Sequence, residues 1–74
     1  MERLVLTAPD ISCEHCINAI SRAVGSLDSA RMVEGNETTK QVIVEFDAGK
    51  TTLDQIKEAM EEEGYPVGAS WAAN

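Results

Sequence analysis

Gln41-Val42-Ile43-Val44-Glu45-Phe46 carries the clearest strand pattern in the chain. Val42, Val44 and Phe46 alternate with Gln41, Ile43 and Glu45, which sets every second side chain on one face of an extended segment. Asp47-Ala48-Gly49-Lys50 closes it. Just upstream, Glu34-Gly35-Asn36-Glu37-Thr38-Thr39 reads as a turn, with Gly35 and Asn36 able to take positive φ. Ala30 to Val33 is a weaker strand leading into that turn, so a hairpin is expected at the middle of the chain.

Moving outward, the spacing changes. Cys16, Ile20, Ala23, Val24 and Leu27 recur at intervals of three and four, the signature of one helical face, with Ile17 at its edge. Ser12 is the expected N-cap, with His15 and Cys16 in the first turn; Gly25 and the Asp28-Ser29 pair mark the end. Before this helix, Leu4, Leu6 and Ala8 alternate with Val5 and Thr7 as a short strand, which Pro9 ends because proline cannot donate to a sheet ladder. Asp10 to Glu14 is a loop. On the far side of the hairpin, Thr51 or Thr52 caps a second helix whose apolar stripe is Leu53, Ile56, Ala59 and Met60. Glu61, Glu62 and Glu63 form its solvated end, Gly64 is its C′ residue, and Tyr65, Val67 and Ala69 make a last edge strand.

The order β-α-β-β-α-β predicts an α+β, ferredoxin-like fold: a four-stranded antiparallel sheet with two helices on one face. Right-handed crossovers bring the loop before the first helix and the loop before the last strand to the same edge of the sheet. Cys13, Cys16 and Tyr65 are then neighbours although about 50 residues separate them in sequence.

Composition narrows the function. The chain has 74 residues, room for one domain spanning 1–74. Six Lys and Arg stand against 13 Asp and Glu, a formal charge of -7, which disfavours nucleic acid and favours a cation or a basic protein partner. No apolar run is long enough to cross a bilayer, so no membrane insertion is expected. The N-terminus lacks the basic and apolar regions of an export signal, and a cytoplasmic protein is expected. Two cysteines three apart make no disulfide framework, and with one Trp, one Tyr and one Phe the core must be aliphatic.

Asp10-Ile11-Ser12-Cys13-Glu14-His15-Cys16 concentrates the chemistry. Deprotonated thiols are soft ligands that prefer ions such as Cu(I), and the amides of a first helical turn favour the thiolate of Cys16. Cys13, in the preceding loop, is free to swing toward it. Two sulfurs suit a linear or slightly bent Cu(I) site better than Zn²⁺, which normally takes four ligands. Cys16 also lies on the core side of its helix and is as much packing residue as ligand. His15 is read first as a solvated loop histidine, and otherwise as a third ligand or a link to a second chain's thiols in a metal-bridged homodimer. Met32 and Met60 are read as core filler. A redox dithiol is the bland alternative for the Cys pair; no general base, oxyanion donor set or substrate pocket is visible, so no enzyme is expected.

The Cys13-Glu14-His15-Cys16 motif, the strand Val42-Ile43-Val44-Glu45-Phe46-Asp47 and the helix ending Glu63-Gly64-Tyr65 together resemble the heavy-metal-associated domain family, and within it the small bacterial copper chaperones. The resemblance implies that Cys13 and Cys16 bind Cu(I). It also implies that the ion passes to a similar Cys-x-x-Cys metal-binding domain on a copper-transporting P-type ATPase. Tyr65 matches the position where bacterial copper chaperones carry a tyrosine near the metal loop. Two departures stand out. Ile11 replaces the family's usual methionine two residues before the first cysteine, and Gly35 stands where relatives tend to have a branched apolar residue, which weakens the second strand. Zinc, cadmium or mercury on the same fold is the rival cargo, since Asp10 and Glu14 flank the thiols. An excised N-terminal metal-binding domain of a P-type ATPase is the rival context, although Met1 looks like a natural start and residues 68–74 like a finished terminus.

Overall fold

The alternation at residues 41–46 places this strand at the interior of the sheet. The computed structural model describes residues 2–72; Met1, Ala73 and Asn74, on which the start-and-finish reading rests, lie outside them. The elements are β1 (Glu2–Thr7), α1 (Glu14–Gly25), β2 (Ala30–Asn36), β3 (Gln41–Phe46), α2 (Leu53–Glu62) and β4 (Ala69–Ala72). The strands form one antiparallel sheet in the order β2-β3-β1-β4, as the ferredoxin-like reading predicts.

Register follows from which residues must be buried. Leu4 opposes Val44 and Leu6 opposes Val42 across β1 and β3, while Ala30 opposes Phe46 and Met32 opposes Val44 across β2 and β3. Leu6, Val42 and Val44 are fully buried in one cluster with Ile20 and Val24 of α1 and Ile56 and Met60 of α2. Both helices therefore cover the same sheet face. The open face carries Arg3, Glu45 and Arg31 side by side, because Glu45 on β3 is paired in register with both arginines. Its carboxylate takes Arg3 at 2.6 Å and Arg31 at 2.8 Å, and these bonds, Arg3 foremost, hold it below the usual carboxylate range. No helix among the described residues is long and apolar enough to cross a membrane.

Helix ends follow local chemistry. Thr52 is the cap of α2: its side chain accepts from the Gln55 N–H and the Gln55 side chain accepts from the Thr52 N–H, a capping box. Thr51 is buried instead and donates to the Asp28 carbonyl. At the other end, Gly64 takes φ 93; its N–H donates to the Glu61 carbonyl and that of Tyr65 to the Met60 carbonyl, closing a Schellman motif on the expected C′ glycine.

Three expectations need correction. The last strand is Ala69–Ala72, not Tyr65 to Ala69. The Tyr65 N–H is consumed in closing α2, Pro66 has none, and sheet pairing resumes only at Gly68, whose N–H donates to the Thr7 carbonyl. β2 continues through the expected turn as far as Asn36, with a bulge between Met32 and Glu34 that leaves Val33 45% exposed. The turn shifts to residues 37–40, where the Asn36 side chain accepts from the N–H groups of Thr38 and Thr39 and Lys40, rather than Gly35 or Asn36, takes positive φ. Gly35 serves a different purpose. A Cβ there would lie 2.6 Å from Ile17 Cγ2, so the glycine allows α1 to sit close on β2. Gly35→Ala is expected to destabilise the fold by about 1–3 kcal/mol in urea unfolding, and by less in an Ile17→Ala background, where the clashing methyl is gone.

Candidate metal centre

Between β1 and α1 the chain dips once into the core. Pro9 and Asp10 are exposed, Ile11 is fully buried, and Ser12 is exposed again. Isoleucine thus anchors the loop. The Ile11 N–H donates to the Ala8 carbonyl at 3.1 Å, closing the turn.

Cys13, not Ser12, is the N-cap of α1. It is extended, at φ -159 and ψ 175, and its thiol makes no capping bond. Glu14, His15 and Cys16 fill the first turn, so the helix begins one residue later than a Ser12 cap would start it. Cys16 starts the buried stripe that continues through Ile20, Ala23 and Val24 and is 7% exposed, while Cys13 is half-buried. Both thiols are free, with their sulfurs 3.7 Å apart. Ser12, freed from capping, places its hydroxyl 3.8 Å from Cys16 Sγ.

Tyr65 arrives from the loop that follows α2 and meets the pair, as the crossover argument predicts. Its hydroxyl is the largest influence on Cys16, followed by the Ser12 amide; with the Cys13 amide and the Ser12 hydroxyl they outweigh burial and push the thiol down from 9.0 to about 6. The reciprocal effect raises Tyr65, first through Cys16 and then through burial and the Cys13 charge, so the phenol remains a donor. His15 is exposed, and no three or more His, Cys, Asp or Glu side chains converge among the described residues.

This geometry sets what the pair can hold. With the roughly 2.3 Å bond of a zinc thiolate, sulfurs 3.7 Å apart subtend roughly 107° at a shared ion, and a straight line needs them roughly 0.9 Å further apart. Cys13, at a cap position and half-buried, is the one placed to move. Sequence reasoning missed two contributors. Ser12 acts on the Cys16 sulfur rather than on the helix end, and Lys40, from the β2–β3 turn, donates to the Ile11 carbonyl. Only the positive charge near a loop of net acidic character could have flagged Lys40.

Because the shift favours the thiolate, Cys16 is ionised above its depressed value and protonated below it. An ultraviolet thiolate titration of the metal-free protein should show a midpoint near pH 6. Cys16→Ser should abolish that step, and Tyr65→Phe should move it upward toward 9.0.

Comparison with known proteins agrees with this arrangement. The family model described as "Heavy-metal-associated domain" matches residues 5–66. "Copper chaperone CopZ" from Bacillus subtilis (strain 168) is 39% identical over 67 residues, covering 90% of this chain and 97% of that protein. Among solved structures, one titled "CopZ metallochaperone" superposes with a TM-score of 0.82 at 32% identity, covering 88% of this chain and 97% of its own. Oxidized MerP from Ralstonia metallidurans CH34 gives a TM-score of 0.82 at 25% identity, covering 99% and 97%. With its sheet order, its paired thiols at the start of α1 and these matches, the chain belongs to the heavy-metal-associated domain family.

Proposed function

We propose that the protein is a cytoplasmic copper metallochaperone. Cys13 and Cys16 hold one Cu(I) as two thiolates and pass it to the Cys-x-x-Cys metal-binding domain of a copper-transporting P-type ATPase. The observation that carries the reading is the pair of free sulfurs 3.7 Å apart at the start of α1, one with its thiol pushed down to about 6. A depressed thiol limits competition from protons near neutral pH, and soft sulfur selects a soft cargo. The kinship with copper chaperones named CopZ supports the choice of copper.

Transfer needs no catalyst beyond exposure. An incoming thiolate approaches on the side of half-buried Cys13, the ion is shared by three sulfurs, and Cys13, at the cap, departs before Cys16, which is held in the helix. Tyr65 shields and steadies the thiolate charge without ligating the ion. The formal charge of -7 suits a basic docking patch on the partner, with association weakened by salt.

One observation favours a second reading. The present separation of the sulfurs fits a bent site, and exposed Asp10 and Glu14 flank it, so a divalent ion such as Zn²⁺ is the rival cargo. Competition between Cu(I) and Zn²⁺ at neutral pH separates the two, and tighter Zn²⁺ binding to the monomer would reject copper. Cys13→Ser and Cys16→Ser are each expected to abolish stoichiometric Cu(I) binding with circular dichroism unchanged, whereas His15→Ala should alter affinity or metal-bridged dimer formation only modestly. Wild-type copper binding by either serine variant would remove the two-thiolate site.

A further inference from the structure

Lys40 stands in a backbone conformation that side chains rarely adopt, φ 60, and is only half-exposed in an otherwise exposed turn. Two of its groups reach into the β1–α1 loop. Its carbonyl accepts from the Ala8 N–H at 2.9 Å, and its ammonium donates to the Ile11 carbonyl. The Ile11 N–H in turn donates to the Ala8 carbonyl at 3.1 Å. Ala8, Ile11 and Lys40 are thus joined in a closed ring of three hydrogen bonds that fixes both ends of the Ala8–Ile11 turn. One member is cationic, and a charged donor makes the stronger bond.

The Ile11 carbonyl and the Ser12 N–H belong to a single planar peptide unit and point in opposite directions. Fixing the carbonyl on Lys40 therefore fixes where the Ser12 N–H points. Ser12 in turn places its hydroxyl 3.8 Å from the Cys16 sulfur. The next residue along the chain is Cys13, the N-cap of α1.

We infer that Lys40 is a positioning residue of the metal loop: through the Ile11–Ser12 peptide it holds Ser12 beside the Cys16 sulfur and keeps the cap residue Cys13 in place. Lys40 touches no cargo. The inference deepens the proposed function and rests on its two-thiolate reading. Metal ligands are commonly held by outer partners whose loss weakens affinity, and here the outer partner is supplied from a different element, the β2–β3 turn.

The test uses the full chain. Lys40→Asn keeps a residue that tolerates positive φ but is too short to reach Ile11, and Lys40→Arg keeps a long cationic donor. Cu(I)-loaded protein is mixed with bathocuproine disulfonate and the rate of copper loss followed. Lys40→Asn should release copper roughly tenfold faster than wild type, at the lower end of what losing an outer partner of a metal ligand costs, with thermal unfolding little changed. Lys40→Arg should restore most of the wild-type rate. Release from Lys40→Asn at the wild-type rate would overturn the inference, as would equal impairment of both variants in step with lost stability. A metal-free arm keeps this separate from the cargo question. In the apo protein, amide hydrogen exchange at Ile11 should quicken in Lys40→Asn and not in Lys40→Arg, whether or not the wild type takes up copper; unchanged exchange would equally overturn it.

Discussion

The burial of one residue, Ile11, governs the business end of this molecule. Between the end of β1 and the start of α1 the chain leaves the sheet, and it must re-enter the core before a helix can lie back across the strands. Ile11 makes that re-entry, fully buried between exposed Asp10 and exposed Ser12. The peg sets the phase of everything after it. With Ile11 inside, Cys13 falls at the cap, and Cys16, Ile20 and Val24 come one above another on the face that meets the sheet. Cys16 is thereby the top of a hydrophobic stripe and the floor of a surface site at once.

Much of this was legible in the residues. The period-2 run at Gln41–Phe46 and the three-four spacing from Cys16 identified the strand and helix that dominate the core, because burial on one face leaves a repeating mark. The association of Tyr65 with the cysteines was legible through topology alone, since handed crossovers fix which loops share an edge. What escaped depended on partners distant in sequence. Gly35 looked like a turn residue and is a contact glycine, because the crowding comes from Ile17 on another element. Tyr65 and Val67 looked like strand because they alternate, but the Schellman closure of α2 claims the Tyr65 amide first. The Ser12 cap was missed by one residue, since an extended cysteine can occupy the cap without using its side chain. Lys40 carried no pattern of its own.

The groups around Cys16 are donors rather than ligands. The Tyr65 hydroxyl, two backbone amides and the Ser12 hydroxyl all favour negative charge on sulfur without competing for a cation. For a carrier this has two consequences. A thiolate already ionised near neutral pH need not shed a proton to take up cargo, and one whose charge is shared with hydrogen-bond donors is a weaker nucleophile and a better leaving group. Under the proposed function, the same contacts would ease both uptake and release. The asymmetry of the pair adds direction: Cys16 is fixed by the helix and Cys13 is poised at its cap, so exchange of sulfur ligands has a natural first step.

The proposed function turns on soft metal held by sulfur at this one tip. X-ray absorption at the copper edge of the Cu(I)-loaded protein tests it most directly. A copper shell made of two sulfurs, rising to three only when an external thiol or a second chain contributes, is the expected result. A shell dominated by nitrogen or oxygen, with Cys13 and Cys16 still open to alkylation, would contradict it.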